Sequence, residues 1–394
     1  MSTASSRQRV AMLLENNPYP QDIRVRREAE ALVRAGHAVS VIAPRDPGQP
    51  RRETIAGVRV RRFRAPAGGT GARSIALEYA VAGARLHVAA LVALARGATV
   101  LHLHNPPDLL AGAGLLARLL RRSVVFDHHD LFPELVAEKS PGRALGLVAR
   151  LAERSTFAVA NLVLSTNESM AEIARTRGRV RAERVAVVRN GPPAAWIARA
   201  RPGRQGTLDD PRLVYVGAIS SQDGVRDVAE LLRLLVEVHG LAGTRLTIVG
   251  AGDARPDVER ELRRAGVQAR VDWAGWVGVE QIPALLAAAD VCIDPAPASA
   301  LNHRSTMIKI AEYLTAGRPV VAYDLVETRR TLAGAGVVVA AGDVAAMAVA
   351  VAHVARDGDE RAALGIRATA RAAELTWEHS ERALLAAYER LSYP

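Results

Sequence analysis

The segment NHRSTMIKIAEYLTAGRPVVAYD, residues 302–324, decides the fold class of this chain. Ser305 or Thr306 is placed to cap an amphipathic helix that ends at a glycine and leads into a buried strand. This helix-then-strand pattern leaves two charged residues unexplained, because Lys309 and Glu312 lie one turn apart on one face of an otherwise apolar helix. A helix start with an ammonium group is suited to a diphosphate, and a nearby carboxylate to a ribose diol.

Outward from this segment, short β-branched runs alternate with longer amphipathic stretches, which predicts parallel sheets flanked by helices. The runs before residue 190 predict strands at 10–15, 38–43, 58–63, 99–103, 123–127, 161–165 and 185–189. Those after residue 212 predict strands at 213–216, 245–249, 270–273, 291–294, 319–323 and 337–339. Helices are predicted in the first group at 23–34, 75–94, 109–121 and 145–159. The chain is therefore expected to be an α/β protein with two doubly wound, Rossmann-like domains.

Prolines, glycines and charges break this periodicity between residues 189 and 212, as expected of an interdomain connection. The predicted parts are a first domain at 1–190, a linker at 191–212 and a second domain at 213–375. Residues 359–390 are predicted to be helical throughout, and the stretch 376–394 is expected to pack back onto the first domain. Ligands of open parallel sheets bind beyond the carboxyl ends of the strands, so the domains are expected to face each other across a cleft.

The composition excludes several classes of protein. With 49% hydrophobic and 24% charged residues, the 394-residue chain is globular rather than disordered. It contains no apolar run of the roughly 18 residues that span a bilayer and no evident secretion signal. Its single cysteine, Cys292, excludes a disulfide framework. We therefore expect a cytoplasmic protein, with peripheral contact at the inner face of the membrane as an option.

The positive charge is confined to the first half of the chain. Residues 1–200 carry a net charge of +14 and the remainder −3, and all basic residues except Lys139 and Lys309 are arginines. Two basic segments, 51–64 and 175–184, fit solvated strand and loop edges, and they also fit attraction to an anionic membrane that carries a lipid-linked acceptor. A genome-wide arginine bias explains the excess equally well. Nucleic acid is disfavoured, because there is no binding motif and aromatic residues are few.

Seven fragments distributed along the chain together carry a family resemblance. They are RVRREAEALVRAGHAVSVIAP, VVRNGP, LVYVGAIS, LTIVGAGD, ADVCIDP, KIAEYLTAGRPVVAYDLVETRR and WEHSERALLAAYERL. In this order they resemble family 4 retaining glycosyltransferases of the GT-B fold, particularly the bacterial polysaccharide and cell-envelope branch. The resemblance implies metal-independent transfer from a nucleotide-sugar, with a UDP-sugar favoured and no cofactor, to a glycan, lipid-linked or natural-product acceptor. A nucleotide-sugar epimerase or hydrolase on the same fold and a binding-only homologue remain alternatives.

The resemblance also assigns residues to the donor side. Glu312 matches the second glutamate of the family's paired-glutamate motif, which holds the ribose, while the first glutamate falls at Arg304. The family's Arg and Lys diphosphate clamp falls at Ala218 and near Asp223, so other cations must replace it. Trp276 fits base contact and core packing equally well. The predicted donor-binding residues are Gly217, Arg226, Gly250, Trp276, Arg304, Ser305, Thr306, Met307 and Ile308, and Lys309 and Glu312 are predicted to be catalytic.

The first domain places four histidines, His102, His104, His128 and His129, at the ends of two consecutive strands. His102 and His104 point the same way because side chains alternate along a strand, as a metal-binding pair would. No zinc motif has this spacing, so contact with the backbone at the strand ends is favoured for at least two of the four. By resemblance, His129 is the catalytic histidine that touches the transferred sugar. His104 and Asn105 match an acceptor-side segment.

The loop and helix at 15–30 are predicted to form an acceptor-facing lip. Asp22 is placed to cap the helix, Asn17 lies in the loop, and Arg24 is expected near the diphosphate. Two aspartates, at residues 357 and 359, formally match a metal-binding D-x-D motif. It lies between two predicted helical stretches, so capping is the favoured interpretation and no metal is predicted.

Overall fold

The computed structural model describes residues 7–64, 72–106, 108–139, 143–199 and 203–391. The chain divides into two compact units, the first formed by Met1–Arg189 with Ser380–Pro394 and the second by Asn190–His379. Each unit contains one twisted sheet with helices packed against it. In the described part of the chain, no helix is both long enough and apolar enough to cross a membrane.

The first unit is built on an eight-stranded sheet. Its strands are β1 (Arg9–Leu13), β2 (Ala38–Pro44), β3 (Arg52–Ile55), β4 (Val58–Phe63), β5 (Val100–His104), β6 (Ser123–His128), β7 (Leu162–Ser165) and β8 (Val185–Val187). Their order is β3-β4-β2-β1-β5-β6-β7-β8, and all neighbours are parallel except β3 and β4. The central strand β1 is buried beyond Arg9, and β5 and β6 are buried along their whole length, as expected of parallel strands covered on both faces.

The described helices of the first 190 residues are α1 (Ile23–Arg34), α2 (Ala72–Ala95), α3 (Ala111–Leu119), α4 (Phe132–Lys139), α5 (Arg143–Val159) and α6 (Glu168–Thr176). The predicted cap of α1 is confirmed, because the Asp22 side chain accepts the Val25 N–H at 3.0 Å. Residues 51–64 form β3 and β4, but one arginine there is not at a solvated edge. Arg62 is buried, pairs with Glu53 and donates to the Tyr19 carbonyl at 2.8 Å.

The second unit has a fully parallel six-stranded sheet, in the order β11-β10-β9-β12-β13-β14. The strands are β9 (Arg212–Val216), β10 (Arg245–Val249), β11 (Val271–Gly275), β12 (Val291–Asp294), β13 (Val320–Tyr323) and β14 (Val337–Val339). The later helices are α7 (Asp227–Glu237), α8 (Arg255–Arg264), α9 (Ile282–Ala287), α10 (Ile308–Thr315), α11 (Val326–Leu332), α12 (Val344–Arg356), α13 (Gly358–Ala372) and α14 (Trp377–Glu389). Asp357 caps α13 through a bond from the Glu360 N–H at 2.8 Å, so the capping interpretation is confirmed.

The predicted continuous helix at the end of the chain is wrong, because α13 and α14 are separated by a turn. At that turn Gly191 packs directly on the backbone, and a Cβ there would lie 2.0 Å from the Leu375 carbonyl oxygen. The Trp377 N–H donates to the Pro192 carbonyl at 2.9 Å. These contacts with a distant part of the chain replace the helical hydrogen bonds that a continuous helix would need.

Candidate active site

In the second unit, the carboxyl ends of β9 and β10 lead into two glycine turns that stack on each other. Gly217 and Gly250 have φ values of 152° and 136°, which side chains rarely allow. A Cβ at Gly250 would lie 1.9 Å from the Gly217 carbonyl oxygen. The Gly217 N–H donates to the Val249 carbonyl oxygen at 2.9 Å. Backbone therefore packs on backbone at this edge of the sheet, where ligands of parallel sheets bind.

Lys309 of α10 lies beside the Gly217 turn. Its Nζ would be 3.0 Å from a Cβ at Gly217, and it donates to the Tyr215 hydroxyl at 3.0 Å and to Asp223 at 2.8 Å. It lies 3.4 Å from Asp294 Oδ1 at the end of β12. Burial disfavours the ammonium charge, yet Asp294, Tyr215 and Asp223 raise the pKa of Lys309 above its usual value. The side chain is therefore a fixed, buried positive charge.

Asp294 is the second buried charge of this group. Only 1% of the residue is exposed, and burial raises the pKa of its carboxyl group while Lys309 partly lowers it. Its closest ionic contact in the structure is Lys309. Its first role is therefore to help hold the ammonium in place.

Helix α10 begins one or two residues later than predicted. Met307 is its N-cap and makes no capping bond with its side chain, while the Ser305 hydroxyl donates back to the Leu301 carbonyl at 3.0 Å. The predicted N-cap, Ser305 or Thr306, is therefore wrong, since Met307 occupies that position. The backbone N–H groups of Ile308 and Lys309 face out of the first turn, where no intrahelical carbonyl reaches them. Such a helix start favours an anion.

The remaining donor-side residues are placed differently. Glu312 is half-buried and lies on α10 one turn after Lys309. Arg226 is exposed and pairs with Asp257. Trp276 is 81% exposed, so the core-packing alternative for it is wrong. Arg304 is exposed and donates to the Ala300 carbonyl at 3.0 Å, within its own turn. The structure thus brings the glycine turns, Lys309 and the start of α10 together. The contacts of Arg226 and Arg304 described above are with other residues of the protein.

In the first unit, the polar residues gather around Asp127 at the end of β6, and we call Arg24, Glu28, His104, Asp127 and His129 the Asp127 cluster. Arg24 holds both carboxylate oxygens of Asp127, at 2.8 and 2.5 Å. The Nδ1 atoms of His104 and His129 lie 2.9 and 3.0 Å from Asp127 Oδ2. Burial opposes the charge, but Arg24 and His129 hold the pKa of Asp127 well below its usual value. Asp127 is therefore an ionised anchor for both rings.

His129 is the member of the cluster with the most exposed side chain, at 11%. Burial lowers its pKa, but the Asp127 carboxylate outweighs burial and raises the pKa to about 9. Asn105 fixes the backbone on either side, since its Oδ1 accepts the N–H groups of His129 and Asp130 at 2.9 and 3.1 Å. At neutral pH the ring is an oriented imidazolium that can donate a hydrogen bond from Nε2.

Arg24 does not face a ligand as predicted. It is 6% exposed, and besides Asp127 it donates to the Val188 carbonyl at 2.8 Å and lies 3.1 Å from Glu28. Its guanidinium is enclosed by protein acceptors, so it positions Asp127 instead of binding a diphosphate. Asn17 is exposed, with its amide 3.4 Å from the Asp22 carboxylate at the start of α1.

The four histidines divide between the two faces of the sheet. His102 and His104 point the same way, as predicted, with ring centroids 4.3 Å apart. His128 points to the other face, where it packs on Phe157 and lies 3.4 Å from Glu153. The expected backbone contacts are not what holds these rings. The His102 ring contacts the hydroxyl of Tyr388, at 2.8 Å, and the others contact carboxylates.

One group in the described residues has the composition of a metal site. Ligand atoms of Glu28, His102, His104 and Asp127 all lie within 4.8 Å of one another. The Arg24 guanidinium already binds both carboxylates of that group, so their negative charge is neutralised by protein. Burial raises the pKa of Glu28 above its usual value, although Arg24 lowers it. These features fit a protein-filled cation position better than a vacant metal site.

Four carboxylates and two tyrosines in these groups were not among the predicted site residues. Asp127 ends the strand predicted at 123–127, and a carboxylate at that position was a usable signal. The acids that hold Lys309, and Tyr215 beneath it, lie in loops and strands far apart in the chain. Tyr388, on the last helix, reaches His102 across 286 residues. The full set is Glu28, Asp127, Tyr215, Asp223, Asp294 and Tyr388.

Comparison with known families matches both units. A model of the glycosyl transferase 4-like domain matches residues 21–191, and a model of glycosyl transferases group 1 matches residues 210–357. Between them the two models cover most of the chain.

Two curated relatives match parts of the chain. The alpha-D-kanosaminyltransferase of Streptomyces kanamyceticus is 28% identical over 186 residues, which are 45% of this chain and 46% of the relative. The D-inositol 3-phosphate glycosyltransferase of Nocardia farcinica is 29% identical over 289 residues, 68% of this chain and 61% of the relative. The matches thus span about half to three fifths of these relatives' own length.

Solved structures match nearly the whole chain. Sucrose-phosphate synthase from Thermosynechococcus elongatus has a TM-score of 0.76 at 18% identity, covering 98% of this chain and 99% of that one. Anabaena HepE in complex with UDP has a TM-score of 0.73 at 15% identity, covering 98% of this chain and all of that one. At such identities the likeness establishes a shared fold.

Proposed function

The chain belongs to the family 4 glycosyltransferases of the GT-B fold, and on that premise we propose that it transfers a sugar from a nucleoside diphosphate to an acceptor hydroxyl. One observation carries the proposal. The start of α10, whose N-cap is Met307, and the buried ammonium of Lys309 lie beside the Gly217 turn at the carboxyl end of β9. A leaving diphosphate gains negative charge as the glycosidic bond breaks, and fixed positive groups stabilise it without reorganising.

In this proposal each part of the donor site has one task. Backbone N–H groups at the start of α10 bind the diphosphate, and Lys309 adds a fixed positive charge nearby. Glu312, half-buried one turn further on, accepts the ribose hydroxyls. A UDP-sugar is the favoured donor, and the similar fold of a UDP-bound protein supports testing it first.

The first unit supplies the second set of groups. His129 donates a hydrogen bond from its charged ring to the sugar, while Asp127 and Asn105 hold the ring in place. We propose that the reaction retains the anomeric configuration and needs no metal ion, since helix N–H groups and ammonium replace the metal charge. The acceptor is a glycan, a lipid-linked saccharide or a natural product that carries hydroxyl groups. One relative is named for an inositol phosphate, which makes small cyclic polyols the first acceptors to test.

Donor binding tests the proposal directly. Titration calorimetry with UDP, GDP and dTDP and their glucose conjugates should give one preferred nucleotide. The Glu312→Gln variant should bind it at least tenfold more weakly, because a charged hydrogen-bond acceptor is lost. The Glu237→Gln variant, altered at an exposed glutamate of α7, is the matched control and should bind normally. Equal affinity of all three proteins would remove Glu312 from the site.

Turnover tests the chemistry. Nucleotide release from the preferred donor should depend on an acceptor and persist in a chelator. Nucleotide release without an acceptor would indicate a hydrolase. Loss of activity in the chelator, followed by recovery when a divalent ion is added, would overturn metal independence. NMR of the product's anomeric proton reads the stereochemistry, and an inverted product would contradict retention.

A further inference from the structure

Three helices of the first unit pack side by side as one layer. Helix α3 lies between α2 and α5. It approaches them closely through two glycines: a Cβ at Gly112 would be 3.0 Å from His87 of α2, and one at Gly114 would be 2.6 Å from Val159 of α5. The outer surfaces of the three helices therefore form one continuous face.

This outer face is unusually apolar. Of 18 exposed large hydrophobic side chains described in the chain, ten lie on α2, α3 and α5 or on the residue after α3. They recur every three or four residues, which aligns them along the outer side of each helix. The most exposed include Val88 at 60%, Leu119 at 73%, Leu147 at 60% and Leu151 at 55%. A patch of this kind marks an interaction surface, since isolated exposed leucines are ordinary but clusters are not.

The same face is strongly basic. Arg85, Arg118, Arg150 and Arg154 are exposed among the apolar side chains. Among the side chains described in these helices, the one carboxylate is Glu153, which is buried and pairs with Arg177 at 2.5 Å. The described face therefore presents leucine, valine and arginine without an exposed acid. We call it the arginine-leucine face.

This composition favours one kind of partner. A second copy of the chain would bring arginines against arginines, which like-charge repulsion disfavours. An anionic bilayer complements both properties at once, because leucines enter the boundary of the acyl chains while arginines contact lipid phosphates.

We propose that the arginine-leucine face is a peripheral docking surface for a membrane rich in anionic lipid. The basic segments 51–64 and 175–184 are poorer candidates, since none of the exposed large hydrophobic side chains described in the chain lies in either of them. The docking surface stands on its own geometry and does not depend on the transfer reaction, so vesicle binding is measured without any substrate.

Sedimentation with vesicles tests the surface in the whole 394-residue chain. The protein should pellet with vesicles of phosphatidylcholine containing 30% phosphatidylglycerol, remain in solution with pure phosphatidylcholine, and be released as salt increases. A Leu119→Gln, Leu147→Gln, Leu151→Gln variant should lower the partition coefficient at least tenfold. An Arg118→Gln, Arg150→Gln, Arg154→Gln variant should lower it by about five-fold for each arginine removed.

Matched controls lie in the second unit, where Val238, Val349 and Ile366 are exposed at 64, 57 and 73%. Changing these three to Gln should leave vesicle binding unchanged, and melting curves show that every variant is folded. Failure of the wild-type protein to pellet at low salt would overturn the proposal. So would equal loss in the controls, or a dimer in light scattering that the leucine variant dissociates in the absence of lipid.

Discussion

Lys309 is a charged side chain placed in the interior, and its neighbours explain why it is tolerated. Its ammonium has a hydroxyl and two carboxylates within 3.4 Å. A buried charge costs several kcal/mol when it is unpaired, whereas paired and hydrogen-bonded it becomes a rigid point of fixed charge. Removing the ammonium and removing one of its carboxylate partners are therefore expected to change stability and ligand binding in different ways.

The Lys309→Gln variant is expected to lose both properties. The free energy of unfolding should fall by about 3–5 kcal/mol, because Asp294 loses its cation in a buried position. Affinity for the preferred nucleoside diphosphate should fall at least tenfold. Adding Asp223→Asn should recover part of the stability without recovering affinity. Urea unfolding and calorimetry measure the two quantities, and a double variant that binds nucleotide normally would contradict the role of the ammonium.

Asp127 controls the protonation of His129. Since Asp127 raises the pKa of His129 to about 9, wild-type turnover should fall as pH rises through about 9. In Asp127→Asn the carboxylate is lost and burial remains, so the alkaline limb should move below pH 6.5. At pH 5.5 this variant should regain part of its activity. Glu389→Gln, at an exposed position of α14, is the control.

Carbon NMR of labelled histidine reads the His129 pKa without relying on activity. A merely structural role for Asp127 would lower kcat at all pH values and leave the alkaline limb where it is. An unchanged His129 pKa in Asp127→Asn would therefore contradict the positioning role.

Single residues were predictable from the sequence where the local pattern singles them out. Lys309 and Glu312 were found because they interrupt an apolar helix, and His104 because strand alternation pairs it with His102. Their partners were not found. Asp223 lies 86 residues before Lys309, and only the sheet order brings the two together. Arg24 was predicted to bind a ligand because one sequence cannot distinguish a buried arginine from an exposed one.

At the scale of elements, the two glycine turns explain how the second unit brings backbone groups to the edge of its sheet where ligands of parallel sheets bind. Strands β9 and β10 are neighbours, so their following turns stack, and stacking requires the absence of Cβ atoms. Substitutions of glycine can therefore distinguish two reasons for its presence, namely the close packing of backbone and the positive φ value alone.

Replacing Gly250 with alanine should destabilise the second unit by more than about 3 kcal/mol, since the added Cβ would meet the Gly217 carbonyl oxygen. Gly266→Ala is the matched control: its φ is 69°, but no atom lies within 4 Å of the new Cβ. It should cost only about 1–2 kcal/mol, the price of the left-handed conformation. Equal costs by urea unfolding would contradict the stacking argument.

Most elements followed from hydrophobic pattern, and the exceptions have physical reasons. Strand β3 was missed because RETI carries two charges and pairs only at the edge of its sheet. Helix α4 was missed because its eight residues are too few to establish a period. The break between α13 and α14 depends on Gly191 and Pro192, which contact that turn although they are 184 residues before Leu375 and 185 before Trp377, respectively.

For the whole molecule, the end of the chain belongs to the first unit rather than to the unit that precedes it. Residues from Ser380 onward group with the first unit, where Glu381 pairs with Arg34 at 2.7 Å. Tyr388 is 2% exposed and bonds His102 at 2.8 Å. The first unit is therefore completed by α14, which follows the whole of the second unit in sequence, and its core should depend on that helix.

Tyr388→Ala should accordingly loosen the first unit selectively. The lost ring leaves a cavity worth about 3–5 kcal/mol, while Tyr388→Phe should cost about 1–3 kcal/mol by leaving a buried His102 nitrogen unpaired. Hydrogen exchange with mass spectrometry should show faster exchange in peptides of β1 and β5, with β9 and β12 unchanged. Val349→Ala, on the exposed side of α12, should alter neither set. Faster exchange confined to β9 and β12 would mean that α14 supports the second unit, and it would contradict this assignment of the last helix.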